Sequence, residues 1–232
     1  MAAKKNKGSN QHMRNLIAHA NPKAVAAEQY RTIRTNIQFS AVDQEIQTIV
    51  VTSSGAGEGK STTAANMAIV FAQAGKRTLL VDADMRKPTV HYTFSLINSR
   101  GLSNILTRQN RLEEVVEESG IEKLQVLTSG IIPPNPSELL DSRSMDQFIQ
   151  QARESYDVVI FDAPPVLAVT DAQVLASRCD GTILVVRSRV ADKEKAVKAK
   201  EQLLAVKTKI LGVILNDKKV EAGDDYYYYY GE

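Results

Sequence analysis

A single cysteine, Cys179, in 232 residues rules out a disulfide framework within the chain and suits a reducing compartment. Beside an apolar segment, such a lone thiol reads as a small buried hydrophobe rather than a nucleophile. No apolar run approaches the roughly 18–20 residues that span a bilayer. The longest, ILGVIL at 210–215, reads as a buried strand. The opening MAAKKNKGSNQHMRN lacks the apolar stretch of a signal peptide. Its Lys4, Lys5, Lys7 and Arg14 read as a solvated arm, so membrane association has to come mainly through a partner. Against 29 Lys and Arg stand 27 Asp and Glu, a net charge of +2, which leaves no basic field for nucleic acid. His12, His19 and His91 show no metal-ligand spacing, and no internal repeat is visible.

What remains is a chain with 43% hydrophobic residues, enough for one good core. Apolar runs at 48–53, 78–84, 124–130, 157–164, 182–188 and 209–216 read as strands. Helical patterns at 25–39, 60–74, 101–107, 111–118, 142–155, 171–178 and 192–206 alternate with them. The runs are apolar throughout rather than alternating, which means burial on both faces and a parallel sheet. The expected fold is α/β, a doubly wound, mostly parallel sheet with helices on both faces. The expected organisation is a flexible N-terminal arm at 1–24, one domain at 25–216 and a tail at 217–232.

The strongest local signal is VVTSSGAGEGKSTTAANMAIVFAQAG. An apolar strand runs into a glycine-rich loop, and Lys60 and Ser61 then open a helix. Glycines let backbone N–H groups turn inward around phosphate oxygens, and the helix N-terminus adds partial positive charge. Ser54, Gly55, Ala56, Gly57, Glu58, Gly59, Lys60, Ser61 and Thr62 form this cradle, with Lys60 reaching the β- and γ-phosphates of ATP or GTP and Ser61 ligating Mg²⁺. The strict pattern places glycine at 54, where this chain has serine; a small residue fits if φ stays negative.

Asp82 and Asp84 end one apolar run, LLVDADMRKP, and Asp162 ends another, VVIFDAPP. Ligands of open parallel sheets bind at the carboxyl ends of strands, so all three acids are expected on the phosphate-loop edge. Such a cluster repels itself unless Mg²⁺ and a substrate proton relieve it. Arg86 and Lys87, which follow the second motif, read either as steering groups for acidic substrate or as a solvated loop pair.

These three motifs, with GIIPPNPSELL, TDAQVLA, LGVILN and the run DDYYYYYGE, resemble those of the bacterial tyrosine kinases. That family carries the phosphate-loop fold of the partition-ATPase-like branch. The resemblance implies an ATP-dependent autokinase that controls capsule or exopolysaccharide synthesis, cytoplasmic and held at the inner face of the cell membrane through a separate transmembrane adaptor. It also implies a phosphotyrosine phosphatase as counterpart. The alternative is a partition or division ATPase whose tail is only a protein contact. Those enzymes carry a signature lysine where this chain has Gly55.

Phosphoryl transfer proceeds through a loose transition state, so catalysis is mostly positioning and charge stabilisation. Lys60 would stabilise the phosphoryl oxygens. Ser61, Asp84 and Asp162 would hold Mg²⁺, and Asp82 would accept the tyrosine proton, although Asp82 and Asp84 can exchange roles. An ordinary carboxylate lies about six pKa units below a phenol, so full deprotonation is uphill by roughly 8 kcal/mol and the base must act late. By resemblance, Asn216 lines the adenine pocket.

Glu28, Arg31 and Arg34 recur every third residue within EQYRTIR, which puts them on one side of a helix, facing outward. The spacing supports an intrahelical ion pair. It also matches the motif through which the resembled family builds a homo-oligomeric ring, an octamer being one size it allows. Tyr226, Tyr227, Tyr228, Tyr229 and Tyr230 are the expected phosphoacceptors. Tyr230 lies 14 residues past Asn216, a reach of up to roughly 46 Å, enough for a neighbour's site or its own, and in a ring the resemblance implies the neighbour's. Five phosphotyrosines would add roughly −8 to −10 charges, so the modified tail is expected to leave those sites and loosen the ring.

Overall fold

The computed structural model describes residues 16–40 and 45–218. Seven strands form one sheet: β1 (Thr48–Ser53), β2 (Thr78–Asp82), β3 (Glu117–Ile121), β4 (Leu124–Leu127), β5 (Val158–Asp162), β6 (Gly181–Arg187) and β7 (Ile210–Asn216). Their order is β3-β4-β2-β5-β1-β6-β7. Every neighbouring pair is parallel except β3–β4. The doubly wound, mostly parallel α/β expectation is met.

Ten described helices surround the sheet: α1 (Ile17–Ala20), α2 (Val25–Phe39), α3 (Lys60–Gln73), α4 (Val90–Phe94), α5 (Leu102–Leu106), α6 (Leu112–Val115), α7 (Pro136–Leu140), α8 (Arg143–Ser155), α9 (Asp171–Ala176) and α10 (Lys193–Ala205). Two apolar clusters fill the layers. Ile49, Val51, Ile160, Ile183 and Val185 face α3, while Val50, Val81, Phe161 and Leu184 face α5 to α10. Neighbouring residues along each central strand thus belong to opposite clusters, so β1, β2 and β5 are buried along their whole length. Burial on both faces is what their unbroken apolar runs required.

Four expectations change. Residues 16–24 are not a free arm: Leu16 and Ala18 are buried in the α3 layer, and the Ala18 N–H donates to Asn66 Oδ1 at 2.9 Å. Residues 1–15 lie outside the described residues. The expected helix at 111–118 stops at Val115, and Glu117–Ile121 pairs antiparallel with β4 instead. β7 is not a buried strand but the sheet edge, with Val213 57% and Leu215 52% exposed. Cys179 is only partly covered, yet burial of its thiol pushes the pKa up to about 12, which keeps it unreactive.

Candidate active site

β1 runs into the loop 54–59, which turns at Gly57 (φ 78°) and Gly59 (φ 92°) and opens α3 at Lys60. A Cβ on Gly59 would stand 2.0 Å from Nδ2 of Asn216, on a backbone conformation that side chains disfavour. That amide donates to the Glu58 carbonyl at 3.0 Å, so the end of β7 is pinned to the loop. Ala56 and Gly57 form the exposed crest, and the Thr62 carbonyl accepts from Asn66.

Ser54 keeps a negative φ, and its hydroxyl donates to Glu58 Oε1 at 2.6 Å. The serine therefore closes the base of the loop with a bond that glycine could not make. Glu58 is buried, and its Oε2 has no hydrogen-bond partner. A Cβ on Gly55 would come within 3.1 Å of Glu58 Oε1. A lysine at 55, the partition-ATPase signature, would crowd this carboxylate.

The three acids gather as expected. Asp82 and Asp162 are register partners on β2 and β5, and Asp162 also lies beside Val51 of β1. Lys60 Nζ stands 2.8 Å from Asp84 Oδ2 and 3.2 Å from Asp162 Oδ1. Asp82 is held differently: its Oδ2 accepts from the Thr89 and Val90 N–H groups at 3.0 Å each, and its Oδ1 accepts from the Asp84 N–H at 3.2 Å.

One ammonium thus serves three buried carboxylates. Burial works against the Lys60 charge, but the surrounding carboxylates outweigh it and raise the pKa. Burial, reinforced by the neighbouring Asp162 charge, raises Asp82 to about 8 against the opposing backbone bonds and Lys60. Burial also raises Asp162, with Lys60 and the Ser61 hydroxyl acting in the other direction. A carboxyl near 8 lies only about two units below a phenol, against roughly six for an exposed one.

A divalent cation fits here. Asp162 Oδ2 is buried with no hydrogen-bond partner, the Lys60 ammonium lies 3.4 Å from the Ser61 hydroxyl and 3.2 Å from Asp162 Oδ1, and Asp84 meets the same ammonium. Among the described residues, no group of three His, Cys, Asp or Glu side chains forms a ready metal cage. Mg²⁺ held by one or two carboxylates and substrate phosphates does not require one.

Arg86 is exposed but does not stand free. Its guanidinium donates to both oxygens of the fully buried Asp171, at 2.9 and 3.0 Å, and to Ser137. This fork ties the chain after β2 to the starts of α9 and α7. Sequence reasoning also missed Arg187, at the end of β6. It lies 3.5 Å from the Gly57 carbonyl and pairs with Asp217 at 2.9 Å; its place at a strand end on the loop edge was the available signal.

On α2, Arg31 pairs with Glu28 at 2.6 Å and donates to the Pro22 carbonyl. Arg34 turns inward and donates to the Val70 carbonyl of α3 at 2.8 Å. The expected outward row therefore keeps Glu28 outside and draws Arg34 against the body. Tyr226 to Tyr230 lie outside the described residues.

A glycine-rich loop, its lysine and acids at adjacent strand ends define a P-loop nucleotide-binding enzyme. A family model described as an AAA domain matches residues 46–210. Tyrosine-protein kinase YwqD of Bacillus subtilis (strain 168) is 52% identical over 229 residues, covering 99% of this chain and 96% of that relative. The crystal structure of the chimerical protein CapA2B2 matches with a TM-score of 0.87 at 45% identity, over 89% of this chain and 91% of the other. The septum site-determining protein MinD of Pyrococcus horikoshii OT3 matches at 0.63 and 23% identity, over 73% and 69%, and shares the fold alone. The chain belongs to the bacterial tyrosine-protein kinases. Its activity is phosphoryl transfer to protein tyrosine. No described helix is long and apolar enough to cross a membrane.

Proposed function

We propose that the chain is an Mg·ATP-dependent autokinase that phosphorylates Tyr226–Tyr230 of a neighbouring copy and thereby regulates capsular or exopolysaccharide synthesis. The observation that carries this is the single Lys60 ammonium set among Asp82, Asp84 and Asp162, beside a phosphate loop. Bound ATP draws the Lys60 ammonium from the acids onto its phosphates. Ser61, Asp84 and Asp162 would hold Mg²⁺, which would neutralise phosphate charge. Asp82, fixed by backbone donors, orients the tyrosine hydroxyl and accepts its proton as the bond to phosphorus forms. Ser54–Thr62 and Asn216 hold the nucleotide.

Glu28 and Arg31 contribute the contact between copies in a ring, with Arg34 fastening α2 to α3 behind them, and phosphorylation of the tail loosens that ring. A separate transmembrane adaptor holds the assembly at the inner face of the cell membrane, and a phosphotyrosine phosphatase resets it. Support comes from the relatives' kinase names, from the parallel β7 that ends at the phosphate loop, and from the length of chain beyond it. Incubation with Mg·ATP followed by intact mass tests the reading. The expected result is mass rising in phosphate-sized steps that vanish in a Tyr226–Tyr230→Phe variant. ATP hydrolysis with no gain in mass overturns it.

A further inference from the structure

The nucleotide site occupies only part of the carboxyl edge of the sheet. Asn216 on β7 and the loop after β1 mark one side, and the acids of β5 and β2 mark the other. A donor stretched from Asn216 toward Asp82 points along the sheet edge to the next strand out, β4. Neighbouring strands lie about 4.8 Å apart, so that ground is within side-chain reach of the acids.

The ends of β4 and of the segment after α4 build a surface there. Asn98 Oδ1 accepts from the Gly130 N–H at 2.9 Å, and its amide donates to Ser129. Leu102 and Ser103 donate to the carbonyls of Thr128 and Ser129 at 2.8 and 2.9 Å. Gly101 is pressed so closely on this joint that a Cβ would meet the Thr128 carbonyl at 2.1 Å. Just outside this seam stand three isoleucines that nothing in the fold requires to be exposed. Ile97 is 74% exposed, Ile131 66% and Ile132 57%. The seam makes them a fixed apolar surface. Exposed Lys87, on the Asp84 loop, and Arg100 add positive charge.

We propose that Ile97, Ile131 and Ile132 form the docking platform for the tyrosine-rich segment 221–232 of a second copy, with Lys87 and Arg100 receiving its acidic residues. The platform rests on the autokinase reading above and names how that site recognises its substrate. The segment's chemistry matches in order: Glu221, Asp224 and Asp225 precede five aromatic rings. Rings bury large apolar area on aliphatic side chains and keep their hydroxyls outward. Any tyrosine of the run can then occupy the acceptor position while its neighbours hold the isoleucines, because the surface is apolar rather than shaped for one ring.

The test is fluorescence anisotropy with a labelled peptide EAGDDFFFFFGE, which cannot accept phosphate, against full-length chain carrying Tyr226–Tyr230→Phe and bound to Mg·ADP. Loss of three buried aliphatic contacts in Ile97→Ser/Ile131→Ser/Ile132→Ser should weaken binding at least about tenfold. The same positions changed to Met should restore it. Arg100→Glu should weaken the parent peptide but not EAGNNFFFFFGE, a readout independent of the isoleucine variants' folding. Equal binding by the parent and the serine variant overturns the platform, as does an equal loss from Val213→Ser/Leu215→Ser on β7. Tight binding of the peptide at the platform, without phosphate ever reaching the tail, overturns the autokinase reading and leaves the platform standing.

Discussion

The two edges of the sheet carry charge in opposite ways. At the carboxyl edge, three buried acids share Lys60, and Asp162 Oδ2 and Glu58 Oε2 have no hydrogen-bond partner. At the amino edge, acids and bases are matched. Asp180 accepts from the Gln47 and Thr48 N–H groups, from the Thr48 hydroxyl and from Arg153 at 2.7 to 3.0 Å. Asp157 takes both the side chain and the N–H of Arg77. A buried polar atom without a partner costs stability, so an edge that keeps such atoms holds them for a ligand. The matched edge fastens β1, β2 and β5 and leaves the other free to be strained.

Lys60→Met should break the comparison hardest. It removes the Lys60 ammonium from the cluster and, in the proposed mechanism, the contact to the transferred phosphoryl group. Tyrosine phosphorylation should fall by roughly 10³-fold or more, as for other preorganised charge contacts, with weak ATP retention on calorimetry. Phosphorylation within tenfold of the parent would mean another cation does this work.

Asp82→Asn comes next and should act with opposite signs on activity and stability. Transfer should drop by about 10²–10⁴-fold, the range for a lost general base. Stability should rise in metal-free, nucleotide-free protein. The folded-state pKa of Asp82 is raised, to about 8, above an unfolded value near 4. Between those values the folded state binds the extra proton, so the parent loses stability as pH climbs from about 4 to 8. Asparagine removes that loss. The melting temperature of the variant should exceed the parent's at pH 8.5 and approach it at pH 5. A uniform offset at both pH values contradicts the assignment of charge strain to Asp82.

The sequence revealed the strained edge far better than the matched one, and the reason is distance along the chain. The phosphate loop is one contiguous segment, and the three clustered acids lie at the ends of apolar runs, so local pattern and one topological rule placed them. Ion pairs such as Arg86–Asp171, 85 residues apart, leave no local trace. β7 looked buried because apolar composition does not say that a strand has only one neighbour. The segment EESGI has no apolar periodicity, and pairing with β4 made it a strand; tertiary context overrode the helical preference of the residues before it. Leu16, Ile17 and Ala18 are a three-residue apolar run in an otherwise polar stretch, too short to announce that Leu16 and Ala18 cover α3.

The smallest effects belong to the matched edge, where geometry separates two ion pairs of similar appearance. Asp180 is partly buried and fastens the start of β1. Asp180→Ala should cost about 1–3 kcal/mol, since it strips bonds from backbone donors and strands Arg153. Burial alone would raise the Asp180 pKa, but Arg153, Thr48 and Gln47 outweigh it and hold the carboxyl below its ordinary value. Its contribution is therefore complete above about pH 4, the unfolded value, and is lost as pH falls through the lower folded one. The parent should lose stability in that acid range more steeply than Asp180→Ala. Arg77→Ala removes a pair whose arginine is mostly in solvent, where water and salt screen the attraction. Its melting shift should be the smallest of the four and should shrink further in high salt. Phosphorylation per folded molecule should stay at the parent level in both variants. A loss of transfer in either one would mean that the amino edge also sets the geometry of Asp82 and Asp162 through the strands it anchors.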